Sequence, residues 1–220
     1  MSHSVPLEPA RAACLESIDA FLRAVDGFDE HALMGESRCH GWTRLDVVVH
    51  TIGGWQEMLG GLVAVVETQP TVDAASYWPA FADEYAGDPV ATLMAQRRRT
   101  AAYARPRNAC DHLREVASLL RIGVQRFGDQ RCTWQGHVFA PGDYLAIWAV
   151  ENAVHHLDLR SDDPAPAEAM AITRATVEAL LGGPLPGDWS DEEAALVGAG
   201  RVPVPEGSAA GLAARLPVLG

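Results

Sequence analysis

The chain has 220 residues, 48% of them hydrophobic and 21% charged. That balance excludes wholesale disorder and leaves room for one or two domains. Acidic residues outnumber basic ones 29 to 17, for a net charge of -12, and every basic residue is an arginine. So acidic a chain offers no concentrated positive surface for nucleic acid. Without lysine it also has no Schiff-base chemistry.

In chain order, Leu15, Ile18, Leu22 and Val25 recur at helical spacing and predict a helix over 9–27. Thr43 with Asp46 three residues later is a capping-box variant that opens a second helix, 44–66. Two glycine pairs, Gly53-Gly54 and Gly60-Gly61, interrupt its apolar run; they either weaken or kink the helix or make space for a neighbouring helix or a ligand. Residues 68–88 read as irregular, with Tyr77, Trp78, Phe81 and Tyr85 placed to line a pocket or cover a bundle end. A third helical region spans 89–125, kinked or split by Pro106. Residues 128–140 form a connector with room for a short hairpin, and a fourth helix runs over 141–160. After the break SDDPAP, a fifth helix covers 166–181 and a short one starts at Ser190.

The predicted fold is all-α. Residues 1–162 form a four-helix bundle and 163–220 a short extension packed on the bundle or on a homodimer partner. The four cysteines, Cys14, Cys39, Cys110 and Cys132, form no CxxC pair and read as inert packing residues. The opening MSHSVPLEPARAAC lacks the basic and apolar regions of a signal peptide, and no apolar run reaches membrane-spanning length. The expectation is a cytoplasmic protein with no membrane partner.

The chemistry concentrates in ENAVHHLDL. On a helix Glu151 and His155 lie about 40° apart, with Asp158 on the same face and His156 turned about 100° away. A Glu–His pair at this spacing also serves as plain helix support. Its flanks here are apolar, so the polar stripe needs partners inside the bundle. A divalent ion is one such partner, because a carboxylate and a neutral imidazole suit zinc. His50, directly after three valines, is either a satisfied core histidine or a third ligand. Two histidines and one glutamate would leave an open coordination position, the pattern of a catalytic site. Asp158 reads as an acceptor behind the ligands.

GWTRLDVVVHTIGGW and ENAVHHLDL together resemble the signatures of the DinB-like, mycothiol-dependent maleylpyruvate isomerase N-terminal domain family. The resemblance covers about residues 10–160, and GAGRVPVP is similar to the tails of small relatives. It implies a DinB-like bundle with a divalent metal, usually zinc, on His50, Glu151 and His155. It also implies a low-molecular-weight thiol, mycothiol or bacillithiol, as co-substrate. The function expected is a metal- and mycothiol-dependent transferase or isomerase acting on a small electrophile. A metal-dependent hydrolase and a non-catalytic metal-binding bundle are the alternatives. Arg97, Arg98 and Arg105 are candidates for holding carboxylates of thiol or substrate.

Overall fold

A computed structural model describes residues 3–84, 88–208 and 211–219. Four long helices form the bundle: α1 (Leu7–Asp26), α3 (Arg44–Val63), α6 (Pro106–Arg126) and α7 (Pro141–Asp158). Short α2 (Glu30–Leu33) follows α1, and α4 (Tyr77–Glu84) and α5 (Pro89–Ala101) lie between α3 and α6. Around the bundle, α1 touches α6 and α7, and α3 touches the same two. Helices α1 and α3, consecutive long helices in the chain, therefore sit diagonally across the core. The fold is all-α, as expected.

Each boundary has a local cause. The Thr43 hydroxyl accepts from the Asp46 amide at 3.1 Å, and the Asp46 carboxylate accepts from the Thr43 amide at 2.8 Å, closing the capping box of α3. The Thr100 hydroxyl also donates to Asp46 at 2.6 Å, so the same carboxylate fastens α5 to the start of α3. Pro106 splits the third region rather than kinking it: α5 ends at Ala101 and proline takes the first turn of α6, where its missing amide costs nothing. The connector holds a hairpin, β2 (Arg131–Trp134) with β3 (His137–Phe139), joined by two-residue β1 (Val65–Val66) in the order β1-β2-β3. Extension helices α8 (Ala167–Leu181) and α9 (Asp191–Gly198) follow. Helix α8 lies against α1 and α7, and Glu16 of α1 caps it by accepting from the Ala167 and Glu168 amides.

Helix α7 is the centre of the molecule: every residue from Gly142 to Asp158 except Glu151 is buried. A polar chain ties it to both diagonal helices. The Trp55 indole donates to Asn152 at 2.8 Å, and Asn152 donates to Ser17 at 3.1 Å. The glycines of α3 divide their work. A Cβ on Gly61 would collide with the Tyr144 hydroxyl, and one on Gly54 would press on Trp148 at 3.2 Å, so these two make room for α7. Gly53 has nothing within 4 Å of that position and faces a cavity instead.

Two predictions follow from this packing. Gly61→Ala should destabilise the fold by roughly 2–3 kcal/mol through overpacking against Tyr144; a melting temperature equal to wild type would contradict the close approach. The second concerns Asp143, which accepts from the Val5 amide at 2.8 Å and anchors the N-terminal segment. Burial pushes its carboxyl up to about 6, against the hydrogen bonds it accepts. The folded state holds this proton more tightly than the unfolded chain does. Its contribution to stability is therefore full below about pH 4 and lost as the pH rises through about 6. Asp143→Asn should gain on the wild type by up to roughly 3 kcal/mol across that interval in urea unfolding. Parallel stability curves would refute the assignment.

Candidate metal centre

The loop before α3 grips the end of α7 and so brings the two polar motifs together. The Arg38 amide donates to the Asp158 carbonyl at 2.9 Å and its side chain to the Leu157 carbonyl at 2.9 Å. Arg44 donates to the Leu159 carbonyl at 2.7 Å and stacks over Phe28. Cations here suit the negative end of the helix dipole. With the helix end held, His50 on α3 comes to 4.8 Å from His155, ring centroid to ring centroid, the planes 74° apart. Trp42 packs on the other side of the His50 ring at 5.2 Å.

One ligand atom from each of His50, Glu151 and His155 falls within 4.8 Å of the others. Glu151 Oε1 lies 3.7 Å from His155 Nε2. The opposite ring nitrogen, Nδ1, lies 3.0 Å from Asp158 Oδ2. His155 thus presents one nitrogen to Glu151 while a carboxylate holds the other, the usual arrangement behind a metal-binding histidine. His156 points elsewhere, its Nε2 at 3.1 Å from the Asp163 carbonyl.

A second set, Cys39, His155 and Asp158, is equally compact. It already contains a cation. Arg201 donates to both Asp158 oxygens, at 2.9 Å and 3.1 Å, and lies 3.6 Å from the Cys39 sulfur. Cys39 itself donates to Asp158 at 3.0 Å. It is therefore a polar partner of the site, where the sequence suggested inert packing. The guanidinium meets the charge of Asp158, and an ion placed in this set would face it. Among the described residues no arginine hydrogen-bonds to the His50 set, which opens toward the cavity.

The ionisation pattern separates the three residues. Burial, and then the positive charge favoured on His155, lower the His50 pKa to about 4, so its imidazole is neutral with a free lone pair. For Glu151 burial alone would raise the pKa, but the hydrogen bond and charge of His155 outweigh it and hold the group below the usual carboxylate range. For His155 burial alone would lower it, yet hydrogen bonds to Asp158, Cys39 and Glu151 hold it well above the usual imidazole value. A proton on Nε2 is what a divalent ion would replace there.

His50 and Glu151 open onto a cavity of about 950 Å³. Tyr77, Trp78 and Phe81 do line it; Tyr85 lies outside the described residues. None of the three arginine candidates does. Arg97 donates to the Gly41 carbonyl at 3.3 Å, Arg98 is an exposed residue in the last turn of α5, and Arg105 pairs with Glu30. Arg99 lines the cavity in their place. It lies three residues beyond Gln96, the buried residue of α5, a relation visible only once the burial is known. GAGRVPVP, similar to the tails of relatives, contains Arg201 but gave it no role, and nothing in the sequence pattern singled out Cys39 or Asn152.

Residues 14–160 match the model of the mycothiol maleylpyruvate isomerase N-terminal domain family. The chain belongs to that family. No curated protein matches it. Among solved structures it is similar to the mycothiol-dependent maleylpyruvate isomerase, with a TM-score of 0.55, 14% identity, and coverage of 80% of this chain and 69% of that one. A mutant of the same enzyme matches with a TM-score of 0.52, also at 14% identity over 80% and 69% of the two chains. At such identity the likeness establishes the bundle fold. Among the described residues no helix is long and apolar enough to cross a membrane.

Asp158 has no exposed surface, so its charge depends on these donors. Arg201→Met should cost about 3 kcal/mol by leaving a buried carboxylate under-compensated. Adding Asp158→Asn should recover part of that loss. Additive losses in a double-mutant cycle of urea unfolding would show that the pair is not coupled.

Proposed function

We propose that this chain is a divalent-metal-dependent isomerase or transferase that uses a small thiol against an electrophilic substrate, with His50, Glu151 and His155 as the protein's ligands. The observation that carries the reading is the meeting of these three donors at the wall of the cavity. The donor set fits the ion. His50 is neutral, Glu151 is anionic, and Asp158 holds the Nδ1 proton of His155, so that Nε2 would become a donor once an ion displaces its proton. Zinc is the ion that two imidazoles and one carboxylate suit best. When bound, it would favour the thiolate form of a thiol in its open position.

Mycothiol is the thiol that the family and the structural relatives' names support. After the thiol loses its proton, the sulfur adds to an electrophilic carbon. In an isomerisation the attacked double bond becomes single, rotates, and re-forms as the same thiolate leaves, with no net change of atoms. In a transfer the new carbon–sulfur bond stays and the displaced group carries the electron pair away. The open cavity beside the donor set supports an enzyme over a closed, non-catalytic metal site. Dependence of turnover on thiol, with none when water is the only nucleophile, separates this reading from a hydrolase.

Protein purified without a polyhistidine tag should retain about one equivalent of metal. His50→Ala and His155→Ala should each lose it, while His156→Ala keeps it. Elemental analysis of folded protein measures this. Equal metal in wild type and His155→Ala would end the proposal. A cobalt-substituted sample titrated with mycothiol should develop a thiolate-to-metal charge-transfer band, and its absence would remove the thiol from the reading.

A further inference from the structure

The cavity beside the donor set has an aromatic wall. The Tyr77 ring lies 5.5 Å from Trp78, 5.7 Å from Phe81 and 5.5 Å from Trp134, and Trp134 lies 4.9 Å from Trp148. All five line the same space. They come from α4, the hairpin and α7, so three separate parts of the chain converge to build one apolar surface. A pocket for a small, highly hydrated molecule has no use for so much ring area, because aromatic faces gain most from a flat apolar partner.

The polar groups around this wall mostly satisfy one another. The Tyr77 hydroxyl donates to Gln135 at 3.2 Å, and Gln135 donates to Glu57 at 3.4 Å. The Tyr103 hydroxyl meets His112 Nδ1 at 2.7 Å. Arg99 is different: among the described residues its guanidinium makes no hydrogen bond or ion pair, and it is the one arginine lining the cavity. It also lies near enough to His50 to disfavour a charge there. The other charged lining residues, Glu57 and Glu151, are acidic.

We infer that the cavity takes an electrophile with a flat aromatic body and a single carboxylate, the ring against the Tyr77–Trp134–Trp148 wall and the carboxylate on Arg99. Guanidinium and carboxylate match in shape and charge, and a lone fork holds one such group. A compact dicarboxylate would leave its second charge facing Glu57 or Glu151 and would leave the aromatic wall uncovered. The inference rests on the cavity being the substrate site of the proposed enzyme, but it concerns binding and needs no turnover.

The test uses 2-naphthoate, its neutral counterpart 2-naphthalenemethanol, and maleate as probes, each titrated into the full chain with and without added zinc. Quenching of tryptophan fluorescence reads binding, because Trp78, Trp134 and Trp148 all border the space. Naphthoate should bind about tenfold tighter than the alcohol, and both tighter than maleate. Arg99→Gln, a change on an exposed side chain, should erase the preference of naphthoate over the alcohol and leave alcohol binding unchanged. Trp134→Leu should weaken both aromatic probes alike. Maleate binding as tightly as naphthoate overturns the inference, as does an unchanged naphthoate preference in Arg99→Gln. Because the titrations run without metal too, they can fail while metal retention succeeds, and the reverse.

Discussion

A carboxylate with no solvent contact sets the terms for the rest of the site. Burying the Asp158 charge costs several kcal/mol unless donors surround it. His155, Cys39 and two nitrogens of Arg201 supply them. His155 and Arg201 hold the Asp158 pKa far below the usual value, against the opposing effect of burial. One consequence reaches the candidate centre directly. With Nδ1 committed to Asp158, only Nε2 of His155 is left to face Glu151 and His50. The tautomer and direction of that ring are decided by a residue that need not touch an ion or a substrate.

The second constraint is the burial of α7. A helix enclosed along nearly its whole length would be apolar all round, and LAIWAV is. Its polar residues appear only where partners exist: Asp143 at the N-terminal segment, Asn152 between Trp55 and Ser17, and Asp158 among its donors. Glu151 differs in facing the cavity, with His155 on its own helix as its partner. A carboxylate that is free of the packing, next to a histidine whose ring is fixed, is poised for a ligand from the cavity side. The polar end of the site is therefore rigid, while its open side is a wall of rings.

The helical core was legible because its signals are local. The Thr43–Asp46 box marks the start of α3, Pro106 and Pro141 mark the starts of α6 and α7, and Ser190 caps α9. The register of Glu151, His155 and Asp158 follows from 3.6 residues per turn and needs no tertiary information. His50 was a harder inference, since a histidine after three valines has a bland reading, and only the grip of Arg38 and Arg44 on α7 brings it to His155. The meeting of Arg201 and Cys39 with Asp158 could not be read at all, although GAGRVPVP marked the segment that carries Arg201. Their partner is more than 40 positions distant in one case and more than 100 in the other, and no periodicity encodes such a meeting. That Arg99, and none of Arg97, Arg98 and Arg105, lines the cavity could not be read for a related reason. Their spacing separates their directions but does not say which direction the cavity lies in.

The location of Arg201 bears on what the bundle alone amounts to. The family match ends at residue 160, and Arg201 comes from the segment beyond α9, whose helix packs on α8 and α7. Within the matched region Asp158 would have His155 and Cys39 as its donors. A thiol is a weak donor, so most of the compensation would then fall on the imidazole. An imidazole that must stay protonated on Nδ1 and also neutralise a buried carboxylate holds its second proton more tightly, and that proton occupies the position an ion needs. Arg201 brings a permanent charge to Asp158, so His155 is not the only charged donor to that carboxylate. A residue outside the matched region thus completes the donor shell of a buried carboxylate inside it.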